Sequence, residues 1–121
     1  MLERDLITGR MSQGDRPDWR PLTRVMDEEL VGTFMWMYEV ETSTSLRIQA
    51  YKHIFTRRYV HLDQDGRAWA WVGGDRYRRV PLAPLLEEAL EEWWQGLGAT
   101  PDDVAAAWAA IHRARGSPMP G

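Results

Sequence analysis

Turn signals within residues 46–80 constrain the fold more than any other feature of this sequence. Asp65-Gly66 and Gly73-Gly74 separate three β-prone runs. An Asp-Gly pair favours a hairpin, because glycine accepts the positive φ that a tight turn requires. Connections this short join antiparallel strands, since a parallel crossover needs a dozen or more residues. The sequence therefore predicts an antiparallel meander.

The same turns predict which side chains share a face, because successive residues of a strand point to opposite faces. The first turn is either a two-residue loop at Asp65-Gly66 or a longer loop closed by a bulge at Gly66. With either turn, one face of the sheet carries Val60 and Leu62 together with Arg67, Trp69, Trp71, Arg76 and Arg78. Tyr59 and His61 point to the other face. We interpret the face with the tryptophans and arginines as a protein-binding surface, because Trp, Tyr and Arg are enriched in interface hot spots. The alternative is a solvated face on which arginine side chains shield the indole rings.

Residues 31–40 form another predicted strand, and its side chains are apolar on both faces. Phe34, Trp36, Tyr38 and Val40 alternate along one of them. Such a strand is usually covered on both sides. Helices would cover one side, and the N-terminal arm or a second copy of the chain in a homodimer would cover the other. A further strand at residues 46–53 brings the predicted sheet to four or five strands.

Two helices are expected after the sheet. Residues 82–97 place leucine, alanine and tryptophan at helical spacing, with glutamates on the opposite face. Thr100-Pro101 then begins a second helix with a capping hydroxyl and a proline at the first helical position. Residues 21–30 are a candidate for a short N-terminal helix. The predicted fold class is α+β, an antiparallel meander followed by two C-terminal helices.

The predicted domain spans residues 21–115. Residues 1–20 show no sustained apolar period and carry glycine and proline, so we expect a flexible N-terminal arm. Residues 116–121 are expected to form a flexible tail.

The composition excludes several classes of site. The 121 residues include no cysteine, which rules out disulfides, cysteine-ligated zinc and a cysteine nucleophile. No apolar run approaches the roughly 20 residues that span a bilayer, and a signal-peptide pattern is lacking. We therefore expect a cytoplasmic protein without membrane contact. Arginine far outnumbers lysine, which suggests a GC-rich bacterial genome.

Nucleic-acid binding is the second hypothesis. The net charge is −3, yet residues 46–80 carry eight basic residues against three acidic ones. Basic groups beside aromatic rings on a sheet are one way to bind single-stranded nucleic acid. The candidate residues are Tyr51, Arg57, Arg58 and Tyr59. No RRM, KH or helix-turn-helix signature accompanies them, and the acidic helix weakens long-range attraction to a polyanion.

His53 and His61 are the third possibility considered, because two strand histidines can meet across a hairpin. With Asp63 or Glu39 nearby they would form an enzymatic or ligand-binding site. Their spacing matches no metal motif, and a structural role is favoured. We therefore predict no catalytic residue, metal or cofactor. The leading hypothesis is a small non-catalytic module that binds an unidentified protein, such as an accessory factor, an inhibitor or an immunity-type protein.

Overall fold

Six strands and four helices make up the described chain. The computed structural model describes residues 6–11, 16–96 and 98–116. In chain order the elements are β1 (Leu6–Met11), α1 (Arg20–Val25), α2 (Glu28–Val31), β2 (Phe34–Thr42), β3 (Arg47–His53), β4 (Tyr59–Asp63), β5 (Ala68–Gly73), β6 (Arg76–Val80), α3 (Leu82–Gly96) and α4 (Pro101–Gly116). The predicted α+β class, with antiparallel strands followed by two C-terminal helices, is confirmed. Within the described ranges no helix has both the length and the apolar character needed to cross a membrane.

The strands form a closed antiparallel barrel rather than the predicted open meander of four or five strands. Each strand pairs with its neighbours in sequence, and β1 closes the barrel by pairing with both β2 and β6. β1 lies inside the segment predicted to be a flexible arm. Its own sequence shows little strand period, so pairing with two neighbours determines its conformation. Gly116, the first residue of the predicted tail at 116–121, is the end of α4. Positions 1–5 and 12–15 of the arm and 117–121 of the tail lie outside the described residues.

The buried apolar side chains form two clusters, one inside the barrel and one between its outer face and the helices. The inner cluster draws on five strands and on no helix, and it consists of Ile7, Val40, Ile48, Trp69 and Tyr77. The larger cluster joins the outer face of β3 and β4 to the helices, with Tyr51 and Leu62 packed among Leu86, Leu90 and Trp93. All of these side chains are buried. The helices therefore cover one side of the barrel wall.

A β-bulge in β2 changes the predicted face assignment. The register shifts between Trp36 and Tyr38, so Trp36 lies opposite Tyr51 whereas Tyr38 lies opposite Ala50. Trp36 consequently faces the helices, and Tyr38 faces the barrel interior. The prediction that Phe34, Trp36, Tyr38 and Val40 share one face was wrong, because a bulge adds one residue and reverses the alternation. Both faces of β2 are covered within one chain, so its apolar pattern does not require a homodimer.

The helices occur in the predicted order, but one predicted helix is divided into two. The predicted helix at residues 21–30 is two short helices, α1 and α2, because Met26 between them has an extended backbone. α4 begins with a reciprocal cap. The Thr100 hydroxyl accepts from the Asp103 backbone N–H at 3.1 Å, and the Asp103 carboxylate accepts from the Thr100 N–H at 2.8 Å. The start predicted at Thr100-Pro101 is confirmed.

Substitution of Gly9 tests whether β1 is an integral strand. A Cβ atom at Gly9 would lie 2.5 Å from Val40 Cγ1, inside the contact distance of two carbons. We expect Gly9→Ala to lower the free energy of unfolding by about 1–3 kcal/mol, the usual cost of overpacking. Urea denaturation measures it.

The matched control is Gly96→Ala at the end of α3, where an added Cβ meets no atom within 4 Å. This variant should be as stable as the parent or up to about 1 kcal/mol more stable, because alanine favours the helix over glycine. Equal effects of the two substitutions would contradict a β1 strand packed on β2.

Candidate functional site

The β4–β5 hairpin has the longer loop at Gly66, one of the two predicted alternatives, but its strands pair with a different face parity from the predicted one. The Asp63 backbone N–H donates to the Arg67 carbonyl at 3.0 Å, and Gly66 has a φ of 80°. The loop therefore contains three residues, and His61 lies opposite Trp69. The predicted shared face of Val60 and Leu62 with Trp69 was wrong, because one extra loop residue reverses the alternation.

The β5–β6 hairpin corrects the second half of the predicted surface. Its turn is at Gly74-Asp75, one of the expected positions, but the register shifts between Trp71 and Gly73. Trp69 and Trp71 consequently face the same way as Arg79 and Tyr77, and Arg76 and Arg78 face the opposite way. Trp69 is buried, whereas Trp71 is 58% exposed. The five residues of the predicted protein-binding surface therefore do not share one face, and their role stays a prediction.

These registers bring aromatic side chains from β2, β4 and β5 around one open pocket of about 450 Å³. We call it the aromatic pocket, and it is lined by Tyr38, Tyr59, His61, Trp69, Ala70, Trp71 and Leu85. Between the described residues of β4 and β5 the ladder has two residue pairs, at His61 and Leu62. The ladder ends before Tyr59 and Trp71, which lie at the pocket rim.

A hydrogen bond between Tyr38 and His61 lies within the aromatic pocket. The Tyr38 Oη and His61 Nε2 atoms are 3.1 Å apart. The His61 ring stacks on Tyr59 with 5.8 Å between centroids. Burial lowers the pKa of His61 to about 4 and raises the pKa of Tyr38 above its usual range. Both groups are therefore uncharged at neutral pH. They offer a hydrogen bond to a ligand, but His61 is a weak proton acceptor there.

Asp63 fixes the inner wall of the aromatic pocket. One carboxylate oxygen accepts from Trp69 Nε1 at 3.0 Å. The other accepts from the backbone N–H groups of Asp65 at 2.9 Å and Arg67 at 3.0 Å. Because Asp63 and Trp69 are both buried, these bonds hold the indole plane in one orientation. Trp69 is thus a rigid part of the wall, and Trp71 at the rim is the more accessible ring.

A second cavity of about 340 Å³ continues from the aromatic pocket along α3. The two share Tyr59 and Leu85, and the second adds Thr56, Arg57, Arg58, Glu88 and Ala89. We call this second cavity the basic groove. It contains three of the four residues predicted to bind nucleic acid.

Those four residues do not form one surface. Tyr51 is buried, and its hydroxyl donates to the Asp18 carbonyl. Arg58 forms ion pairs with Glu92 at 2.9 Å and Glu88 at 3.8 Å. Arg57 and Tyr59 remain exposed in the groove.

His53 and His61 do not form a joint site. His61 lies opposite Ala50 and points into the barrel, whereas His53 is buried under the helices against Trp93, 4.8 Å between ring centroids. The His53 Nδ1 atom accepts from the Thr56 backbone N–H at 3.2 Å, which holds the following turn. The two histidines lie on opposite faces of the barrel wall, so the structure does not bring them together as the hypothesis of a joint site expects. Among the described residues no group of three or more histidines or carboxylates is placed to hold a metal ion.

Sequence reasoning missed Tyr38 and Leu85 as pocket residues. Tyr38 reaches the interior only because of the bulge in β2, and Leu85 reaches the pocket only because α3 docks beside β4. Neither residue belongs to a local motif. The sequence shows Tyr38 only as an apolar residue within a strand, and that pattern fits an ordinary core position equally well.

Comparison of the chain with protein-family models, with curated proteins and with solved structures finds no match.

The two buried histidines predict acid-sensitive folding. Burial lowers the pKa of His53 and of His61 to about 4, against about 6.5 in an unfolded chain. The unfolded state therefore binds more protons between these values, and stability falls as the pH drops from 6.5 to 4. The loss is up to about 3 kcal/mol for each imidazole. Urea denaturation across this pH range measures it.

His61→Gln should reduce the pH dependence, because the glutamine does not titrate. The control is His112→Gln, which changes an exposed residue on α4 and should leave the pH profile unaltered. A parent profile that is flat between pH 6.5 and 4 would contradict the burial of neutral imidazoles.

Proposed function

We propose that this protein is a non-catalytic domain that binds a small, planar and largely apolar molecule in the aromatic pocket. The observation that carries the proposal is the convergence of Tyr38, Tyr59, Trp69 and Trp71 on one open volume of about 450 Å³. Ligand pockets typically measure roughly 300–1,000 Å³ and are lined by apolar and aromatic groups with few polar ones. Both the volume and the lining fit that description.

The arrangement of the rings supports a planar ligand. Trp69 is held by Asp63 and forms a fixed wall, whereas Tyr59 and Trp71 lie at the rim with partly exposed rings. Aromatic rings attract one another in stacked or edge-to-face geometry by about 0.5–1.5 kcal/mol for each pair, beyond the area that they bury. A flat ring that enters between these walls gains such contacts on several sides.

The polar groups of the pocket are better suited to orienting a bound ligand than to catalysing a reaction. The Tyr38–His61 pair offers one hydrogen-bonding position in an otherwise apolar lining. Since His61 is neutral and weakly basic at pH 7, the pair suits recognition of a ligand better than proton abstraction. This is the reason for proposing a binding function in place of an enzymatic one.

A neutral planar probe, 2-naphthylmethanol, tests the proposal through the indole N–H signals of ¹⁵N-labelled protein. The signals of Trp69 and Trp71 are expected to shift on titration, and those of Trp94 and Trp108 to stay in place. Trp71→Ala should weaken binding by about two- to tenfold, the equivalent of one lost aromatic contact.

Trp108→Ala is the matched control, because Trp108 is also partly exposed but stacks on Trp94 between α3 and α4. Its binding constant should equal that of the parent. Titration of the parent without a shift of either Trp69 or Trp71, with this probe and with charged probes of the same ring system, would refute the proposed function.

Binding of a partner protein is the second candidate, and one observation favours it. Trp71 and Val72 are 58% and 43% exposed on the β5–β6 hairpin, and exposed Arg76 and Arg78 lie on the same hairpin but face the opposite way from Trp71. A hairpin that exposes tryptophan and arginine resembles interface hot spots in composition. Arg67 and Trp69 contribute less, because they are partly or fully buried. The partner and the cytoplasmic location stay predictions.

Single-stranded nucleic acid is less well supported by the geometry. Of the four residues proposed for it, Tyr51 is buried and the charge of Arg58 is countered by Glu88 and Glu92. Arg57 and Tyr59 alone offer a small contact surface for a polymer that needs several phosphate and stacking contacts.

A further inference from the structure

We infer that the ligand of the aromatic pocket carries a negative charge beside its planar ring, and that Arg57 in the basic groove binds this charge. The inference rests on the proposed function, because it assigns the ligand class of the same pocket. The charged group is a carboxylate or a phosphate, and Lys52 adds a second positive charge near Tyr59.

The backbone of Arg57 is the first observation. Its φ is 66°, in the left-handed region that side chains other than Gly, Asn and Asp rarely occupy. This residue closes the turn between β3 and β4, where its backbone N–H donates to the His53 carbonyl at 2.9 Å. Glycine would satisfy this backbone without strain. An arginine in a strained position is explained if its side chain has a function.

The charge balance of the basic groove is the second observation. Two arginines line it, and Arg58 is already paired with Glu88 and Glu92. Arg57 is exposed and makes no ion pair with any described carboxylate. Its guanidinium group is therefore available for an external anion, which it can contact through two parallel N–H groups.

Lys52 is the third observation. It lies opposite Tyr59 on β3, and its Nζ atom is 5.7 Å from the centroid of the Tyr59 ring. The same tyrosine lines both the aromatic pocket and the basic groove. Lys52 lies near the Tyr59 ring, and Arg57 lines the groove that shares Tyr59 with the pocket. No described carboxylate lines the aromatic pocket, and Glu88, the carboxylate of the basic groove, is paired with Arg58. This disfavours a cationic ligand and favours an aromatic anion.

Three matched probes test the inference: 2-naphthylmethanol, 2-naphthoate and 2-naphthyl phosphate. They share one ring system and differ in charge. Dissociation constants come from the Trp71 indole N–H shift at low and at high salt. We expect both anions to bind more tightly than the alcohol, and the preference to shrink in high salt because screening weakens exposed charge pairs. The tighter anion identifies the group that the groove prefers.

Arg57→Gln and Arg57→Gly remove the cation. Each should reduce the preference for the anions by about two- to fivefold, as expected for one exposed charge pair, and leave the binding of 2-naphthylmethanol unchanged. Arg57→Gly should also be at least as stable as the parent, since glycine relieves the left-handed strain. Arg24→Gln is the control, because Arg24 is exposed on α1 beside Gly66 and is not among the residues that line the pocket or the groove.

The outcomes separate the two claims. Equal binding of alcohol and anions by the parent, or an unchanged preference in both Arg57 variants, overturns the anion site and leaves the aromatic pocket standing. Failure of all three probes to shift Trp69 and Trp71 overturns the proposed function together with the inference. A preference for the anions that falls in both Arg57 variants and persists in Arg24→Gln supports the inference.

Discussion

The buried carboxylate of Asp63 is the interaction on which the remaining architecture of the pocket depends. It accepts three hydrogen bonds, two from backbone N–H groups in its own hairpin and one from the Trp69 indole. A buried charge is tolerated only when it is satisfied in this way. The bonds select a three-residue loop and so fix the register of β4 against β5. That register decides that His61 and Trp69 face inward together.

Closure of the barrel is the second constraint. Among the described residues, β1 pairs with Val40–Thr42 of β2 and with Arg76–Arg78 of β6, so it covers part of the edge that each strand would otherwise leave free. Gly9 allows β1 to approach Val40 closely. The helices cover the outer face of β3 and β4 together with Phe34 and Trp36 of β2, and Trp93 packs there against His53. The aromatic pocket lies at the end of the β4–β5 hairpin that includes Tyr59 and Trp71, where the two strands are no longer paired with each other.

The proposed binding function depends on side chains at the point where regular strand pairing stops. The residues inside the barrel are held by both neighbouring strands, whereas Tyr59 and Trp71 extend beyond the paired part of their hairpin. The side chains of Tyr59 and Trp71 are 37% and 58% exposed there. Together with the strained Arg57 backbone at the adjoining turn, this explains why the candidate ligand contacts gather at one end of the barrel.

The sequence by itself determined strands β2 to β6, helices α3 and α4, and their order. Hydrophobic period located α3 and β2, turn residues located the hairpins, and the Thr100 cap located the start of α4. These signals act between residues close in the chain, so they can be seen in a sequence. The face assignments failed at Trp36 and at Trp69, because one bulge or one extra loop residue reverses the alternation of every following side chain. Such a shift costs little locally and is selected by packing and by buried hydrogen bonds.

Only the tertiary structure decided that β1 is a strand, that the sheet closes, and that Tyr38, Tyr59 and Trp71 surround one pocket. The physical reason is that each of these features depends on contacts between residues far apart in the chain. β1 is held by β2 and β6, and Leu85 joins the pocket through the docking of α3. The chemistry of the site was present in the sequence as aromatic and basic residue types, and their assembly into a site came from the closed barrel.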